Sequence, residues 1–106
     1  MKPLIALSAA VACAAALLEP ALADEFGIAK KAGCLACHAV DANLVGPSYR
    51  QIAAKYKGNA AAPAMLAERV RKGSKGVWGP TPMTPNVPAR ISDADLKAVI
   101  AWVLKQ

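Results

Sequence analysis

The stretch Cys34-Leu35-Ala36-Cys37-His38 decides the fold expected for this chain, because it places two thiols and an imidazole within five consecutive residues. The C-x-x-C-H pattern is the attachment signature of c-type haem. Two cysteine thiols add across the two vinyl groups of the haem, and the adjacent histidine presents a ring nitrogen to the iron. We therefore predict one covalently attached haem c, with Cys34 and Cys37 as the attachment residues and His38 as an axial ligand.

Other chemistries of the same motif fit the chain less well. A thioredoxin-like redox pair usually precedes a long helix in a βαβ unit, and the sequence contains no β-rich run. A structural zinc site needs four ligands, and after residue 23 the chain offers only three of the usual cysteine and histidine type. A disulfide between Cys34 and Cys37 is possible but leaves His38 without a role, so a haem-free thiol–disulfide oxidoreductase stays as an alternative.

The first 23 residues have the pattern of a secretory signal peptide. Lys2 supplies a positive start, and residues 4–18 are apolar but too short and too alanine-rich for a membrane span. Ala21-Leu22-Ala23 has the small-x-small form of a cleavage site. We predict cleavage after Ala23 and export to the periplasm, with residues 24–106 as a single domain that has no stable membrane insertion. Lipidation of Cys13 is the alternative, because it would tether the mature chain.

Length and composition exclude several classes of function. The chain has 106 residues, of which 56% are hydrophobic and 19% charged, and it contains no Gly-rich phosphate loop. A second domain and nucleotide chemistry are therefore both excluded. The net charge of +6 favours acidic docking partners, whereas nucleic acid does not suit an exported chain without a recognition module. A core this small usually needs a disulfide, a metal or a cofactor to stabilise it.

Apolar periodicity and capping residues predict four helices and no strand. The predicted segments run from residue 24 or 25 to 32, from 48 to 56, from 63 to 72 and from 92 to 105. Pro63 fits a first helical position and Gly73 a helix end, while Ser92-x-x-Asp95 resembles a capping box. The expected fold is a single all-α domain of about four helices wrapped around the haem, which supplies apolar surface that the chain lacks.

The second axial position of the iron has two methionine candidates. Met83 lies in residues 79–88, where four prolines fix φ and stiffen the loop around it. Met65 lies in the third predicted helix, where a methionine at helical spacing is more often a core residue. We predict Met83 as the ligand. Lysine, asparagine, water or an empty position are the other possibilities, and a vacant or labile position would indicate a gas sensor or a haem enzyme.

The chain resembles a known family in the kind and the order of its motifs. Residues 25–106 are similar to the small bacterial class I cytochromes of the cytochrome c-551/c-552 type. The segments that carry the likeness are His38-Ala39-Val40-Asp41, Val45-Gly46-Pro47, Gly73-Ser74-Lys75-Gly76-Val77-Trp78-Gly79-Pro80, Pro82-Met83 and Pro85-Asn86. The resemblance implies the same axial ligands, His38 and Met83.

Four further residues receive roles from this resemblance. The Pro47 carbonyl would accept a hydrogen bond from the proximal histidine, which fixes the ring orientation. Arg69 and Trp78 would contact a haem propionate. Asn86 would support the loop that carries the predicted methionine ligand.

The implied function is electron transfer rather than substrate turnover. Two axial ligands leave no free position on the iron, so outer-sphere one-electron transfer remains, and we expect a soluble, monomeric periplasmic carrier in respiration and not an enzyme. The resemblance implies a quinol-oxidising complex or another cytochrome as donor, and a nitrite reductase, peroxidase or terminal oxidase as acceptor. Basic residues that could surround the exposed haem edge and attract such partners are Lys30, Lys31, Lys55, Lys57, Arg71, Lys72 and Lys75.

Two positions depart from the family pattern. Thr84 follows Met83 where a proline is expected, and the segment Val87-Pro88-Ala89-Arg90-Ile91 is longer than in the shortest family members. We expect neither to touch the iron, so the departures concern the stiffness of the methionine loop and the exposed rim.

The signal-peptide prediction has a direct test in the intact mass of the native protein. We expect a mass equal to residues 24–106 plus one haem, because covalent haem attachment takes place on the exported side of the bacterial membrane. A diacylglyceryl mass on Cys13 would instead establish the anchored form, and retention of residues 1–23 would contradict export.

Overall fold

The structure is a computed structural model that describes residues 24–106 together with Pro3. The predicted signal peptide, including the Cys13 alternative, therefore lies outside the described residues apart from Pro3. In the described part of the chain, no helix is both long and apolar enough to cross a membrane.

Four α-helices and one 3-10 turn make up the regular structure of residues 24–106. They are α1 (Glu25–Lys31), the 3-10 turn (Cys34–Ala36), α2 (Tyr49–Lys55), α3 (Ala62–Lys72) and α4 (Asp93–Val103). The only β-type pairing within this range consists of isolated bridges, between His38 and Asn43 and between Ser74 and Met83. The predicted all-α fold is confirmed, and each helix lies on its predicted segment. The sequence did not predict the 3-10 turn.

Short polar side chains begin three of the four helices. Asp24 Oδ1 accepts the N–H of Gly27 at 2.9 Å, at the start of α1. Ser48 Oγ accepts the N–H of Gln51 at 3.1 Å, and Ser92 Oγ accepts the N–H of Asp95 at 3.2 Å. Each of these side chains supplies an acceptor to a backbone donor that has no partner inside the helix. This local chemistry explains why the helix starts are readable from the sequence.

Helix α4 is the centre of the packing, because it contacts α1, α2 and α3. Its predicted apolar stripe is buried, and the members of that stripe are Leu96, Val99, Ile100 and Val103. The core around it is nevertheless thin, since the residues with no exposed surface at all are the small Ala29 and Ala62. Several large apolar side chains remain exposed, namely Phe26, Leu44, Val45, Trp78 and Val87. The chain therefore does not cover its own apolar surface completely.

Arg71 connects α3, where it lies, to the loop at Asn86 and to the start of α4. Its Nη1 donates to the Asn86 carbonyl at 3.2 Å, and its Nη2 lies 2.5 Å from Asp93 Oδ1 at the start of α4. Only 18% of the side chain is exposed. The expectation that Arg71 belongs to a basic rim is therefore corrected, because its charge is committed to holding α3, the following loop and α4 in place.

Gly73 ends α3 in a conformation and a position that exclude other residues. Its φ is 80°, and a Cβ on it would lie 2.6 Å from the Met83 carbonyl oxygen. Gly58 has a similar φ of 75° but open space around its Cα. The ψ of Gly73 is 169°, which places it in an extended region at positive φ that essentially only glycine adopts, so its conformation and its close contact both require glycine.

We expect Gly73→Ala to lower the free energy of unfolding more than Gly58→Ala does. Both substitutions place an alanine at positive φ, which costs about 1–3 kcal/mol. Only Gly73→Ala forces backbone atoms apart, at a further cost of about 1–3 kcal/mol. Guanidinium unfolding followed by circular dichroism measures the difference, and equal losses for the two variants would contradict the close approach.

Candidate haem-binding site

The 3-10 turn gathers the residues of the C-x-x-C-H motif. The Cys34 carbonyl accepts the N–H of Cys37 at 3.2 Å and the N–H of His38 at 3.0 Å. Both thiols are free, with Cys34 half-buried and Cys37 exposed. Burial raises the pKa of the Cys34 thiol, and the charge of Arg90 opposes part of that rise. The turn therefore presents two unlinked thiols and one imidazole from the same short segment.

His38 is held by a hydrogen bond from its ring. Its Nδ1 lies 2.7 Å from the carbonyl oxygen of Pro47, the residue to which the resemblance assigned this contact. Because a carbonyl only accepts hydrogen bonds, Nδ1 must carry the proton, and the lone pair of the neutral ring lies on Nε2. The structure thus leaves Nε2 as the nitrogen that can bind a metal.

Gly46 and Tyr49 pack directly on the His38 ring. A Cβ on Gly46 would lie 2.6 Å from His38 Cε1, so any other residue would displace the imidazole. The N–H of Gly46 donates to the Cys37 carbonyl at 2.8 Å, which fastens this loop to the motif. The Tyr49 ring stacks on His38 with centroids 5.5 Å apart and planes 21° apart. Neither contact was predicted, although a glycine directly before Pro47 was a signal for close backbone approach.

The ring of Tyr49 also gives the imidazole of His38 an uncharged neighbour. The residue is buried, and its hydroxyl has no hydrogen-bond partner among the described residues. Burial raises the pKa of this phenol, with a smaller contribution from Cys34. Tyr49 therefore stays uncharged at neutral pH and adds no net charge beside His38.

Met83 is positioned by backbone pairing with the residue that follows Gly73. The Ser74 N–H donates to the Met83 carbonyl at 3.1 Å, and the Met83 N–H donates to the Ser74 carbonyl at 2.8 Å. Asn86 fastens the far end of the loop, because its N–H donates to the Val70 carbonyl of α3 at 2.8 Å. Its Nδ2 donates to the Thr84 carbonyl at 3.1 Å. The alternative candidate, Met65, lies half-buried within α3.

Arg69 and Trp78 are connected by the side chains of Tyr56 and Lys55, which lie between them. Arg69 Nη1 donates to the hydroxyl oxygen of Tyr56 at 2.5 Å. Lys55 Nζ lies 5.3 Å from the centre of the Trp78 ring and 5.9 Å from that of Tyr56. Trp78 remains 42% exposed. The sequence singled out Arg69 and Trp78 but gave no role to Tyr56.

These residues fit a covalently attached haem. A neutral imidazole with a free Nε2 and a thioether sulfur are both established axial ligands of haem iron, and two free thiols stand beside the imidazole. No cluster of three or more His, Cys, Asp or Glu side chains within residues 24–106 could hold a bare metal ion. The exposed apolar side chains supply surface for a large apolar group to cover.

Comparison with known proteins gives concordant matches. The sequence profile of the Cytochrome c family matches residues 27–106. Cytochrome c2 of Rubrivivax gelatinosus is 65% identical over 78 residues, which are 74% of this chain and 92% of that protein. Cytochrome c-551 of Pseudomonas aeruginosa is 45% identical over 107 residues, covering 100% of this chain and 99% of that protein.

A solved structure agrees with these sequence matches. The crystal structure of wild-type Nitrosomonas europaea cytochrome c552 superimposes with a TM-score of 0.70 at 48% sequence identity. The match covers 74% of this chain and 95% of that one. The family resemblance predicted from the motifs is thereby confirmed. The chain belongs to the cytochrome c family and carries one covalently attached haem c.

Proposed function

We propose that this protein is a soluble periplasmic electron carrier in which His38 and Met83 are the two axial ligands. The haem supplies a one-electron couple between Fe(II) and Fe(III). The observation that supports the proposal best is that both candidate ligands are fixed by backbone groups. The Pro47 carbonyl lies 2.7 Å from His38 Nδ1, and Ser74 exchanges two hydrogen bonds with Met83.

The proximal side is built to hold one tautomer of the imidazole. The hydrogen bond to Pro47 leaves Nε2 as the nitrogen that would bind the iron, and it would make the ring a stronger donor. Gly46 and Tyr49 restrict ring rotation by contact. In this proposal the thiols of Cys34 and Cys37 form the thioethers, so that the anchor and the ligand belong to one segment of chain.

The methionine side is built to keep a weak ligand in place. A thioether binds iron weakly, so its position must come from the protein. The pairing of Met83 with Ser74, the contacts of Asn86 with α3, and the prolines of the loop all limit its movement. A ligand that stays bound in both oxidation states keeps the structural change small, which favours rapid electron transfer.

Closed coordination is the reason to propose a carrier rather than an enzyme. With an axial ligand on each face, no position is free for substrate or dioxygen. The rival proposal, a gas sensor or haem enzyme, requires a vacant or labile position. Addition of carbon monoxide to the ferrous protein separates the two, since a carrier of this kind should bind it poorly.

The surface charge supports transient encounters with acidic redox proteins. Each of three basic residues is paired with an acidic side chain, namely Arg50, Arg71 and Lys72. The other basic residues on the described surface include Lys30, Lys31, Lys57 and Lys75, which are all exposed. We propose a monomer that accepts electrons from a quinol-oxidising complex or another cytochrome and passes them to a nitrite reductase, peroxidase or terminal oxidase. Such interfaces are small and short-lived.

Met83→Ala and Met65→Ala test the ligand assignment. Met83→Ala should remove the methionine–iron charge-transfer band of the ferric protein, lower its reduction potential and permit carbon monoxide binding, because it opens one face of the iron. Met65→Ala should leave all three unchanged. It should reduce stability by no more than the low end of the range of about 2–5 kcal/mol for buried methionines, since Met65 is only half-buried. The reverse pattern would transfer the ligand role to Met65.

Replacing Lys30, Lys31, Lys57 and Lys75 with glutamine tests electrostatic steering. The second-order rate constant with a small acidic redox protein should fall at low ionic strength, and its salt dependence should flatten. The reason is that exposed charges act mainly on encounter and are screened over roughly 8 Å at 0.15 M salt. Stopped-flow mixing across salt concentrations measures both effects.

The control for this experiment removes charge from α4 and from the residues directly after it, which carry none of the proposed haem contacts. Lys97→Gln with Lys105→Gln should change the rate much less than Lys57→Gln with Lys75→Gln, a matched variant that loses the same number of exposed charges. Rates that fall equally in these two double variants would show that only net charge matters and would contradict a localised steering surface.

A further inference from the structure

Four side chains meet where α2 ends, against α3 and the segment that follows it. These residues are Lys55, Tyr56, Arg69 and Trp78, and we call them the Tyr56 corner. Arg69 Nη1 donates to the Tyr56 hydroxyl at 2.5 Å, and its guanidinium carbon lies 5.8 Å from the ring centre. Lys55 Nζ lies 5.9 Å from the Tyr56 ring centre and 5.3 Å from that of Trp78. Two cations are therefore held around two aromatic rings.

The Tyr56 corner carries two positive charges and no acid. The ion pairs of the described residues involve neither Lys55 nor Arg69. Glu68, the acid beside Arg69 in the sequence, is paired with Lys72 at 2.8 Å. Lys55 and Arg69 both lie beside the Tyr56 ring without a counter-charge, so an anion near both would be stabilised. A planar guanidinium is suited to a carboxylate.

Tyr56 is the residue that fixes the geometry of this corner. It is buried, with 8% of its surface exposed, and therefore offers its hydroxyl at one position. The phenolic oxygen accepts the Arg69 N–H, which leaves the phenolic hydrogen free to donate to a further acceptor. Arg69 is half-buried, so a lost contact to Tyr56 would let its long side chain move toward water.

We propose that Tyr56 is a positioning residue for electron transfer. The Tyr56 side chain holds Arg69 in place while Lys55 lies over Trp78, and the corner thereby binds a haem propionate carboxylate. The inference rests on the proposed function, which assigns Arg69 and Trp78 to a propionate; Tyr56 and Lys55 are the additions. A cation held near the haem favours the reduced state, because it attracts the added electron. Tyr56 contributes to this effect without carrying charge itself.

A double-mutant cycle on the midpoint potential tests the role of Tyr56. The holoprotein is compared with Tyr56→Phe, Arg69→Gln and the double variant. We expect Tyr56→Phe to shift the reduction equilibrium toward Fe(III) by about two- to threefold, which is the effect of moving a unit charge a few ångström away at intermediate dielectric. In the Arg69→Gln background, the same Tyr56→Phe substitution should change the potential very little, because its effect passes through the guanidinium.

Two further variants serve as controls. Arg69→Lys keeps the charge but loses the planar fork, and it should shift the potential in the same direction by less than Arg69→Gln. Lys97→Gln on α4 removes one exposed charge elsewhere and should shift the potential least. Because Tyr56→Phe keeps the ring, the fold should be retained.

Two results would overturn the positioning role. One is a Tyr56→Phe variant that loses stability but keeps its potential, and the other is an equal shift with and without Arg69. The ferric methionine–iron band is recorded for every protein. Its presence in the unsubstituted protein shows that the proposed ligation holds even if the Tyr56 inference fails, whereas its absence would reject the proposed function itself.

Discussion

The hydrogen bond between His38 Nδ1 and the Pro47 carbonyl, at 2.7 Å, is the contact on which the site depends. It decides which ring nitrogen carries the proton and therefore which one can bind iron. Gly46 approaches the ring so closely that no side chain could replace its hydrogen, and its N–H is bonded to Cys37. The loop that follows the motif is thus folded back onto it, and α2 starts from that loop.

The methionine half of the site is built differently. Met83 has no neighbouring motif to hold it, and its position comes from the end of α3, through Ser74 and Gly73. Asn86 and Arg71 then connect the loop to α3 and α4. In the proposed ligation, these contacts with the protein would keep a weak iron ligand in place. The stability of α3 and α4 is for this reason coupled to the chemistry proposed for Met83.

The distribution of charge matters more here than the sum of +6. Arg71 is largely buried and structural, while Arg50 and Lys72 are neutralised by nearby acids at the surface. Exposed ion pairs of this kind contribute little to stability. Lys55 and Arg69, in contrast, lie around aromatic rings without an acid. The remaining exposed lysines are the ones available for encounters with partners.

The sequence by itself determined the features that depend on near neighbours along the chain. The cap at Ser92, the helix end at Gly73 and apolar periodicity predicted the helices, because these signals act within a few residues. The C-x-x-C-H motif predicted the haem attachment segment for the same reason. The prolines around Met83 made it the better ligand candidate, and that assignment remains a prediction.

Only the tertiary structure decided which distant side chains meet. Tyr56 and Arg69 are 13 residues apart, and Arg71 and Asp93 are 22 apart. Periodicity shows which face of a helix is apolar, but it carries no information about the side chain that lies opposite. For Gly73, the sequence predicted only that a helix ends there. The tertiary structure showed that the Met83 carbonyl lies too close to this residue to allow a Cβ.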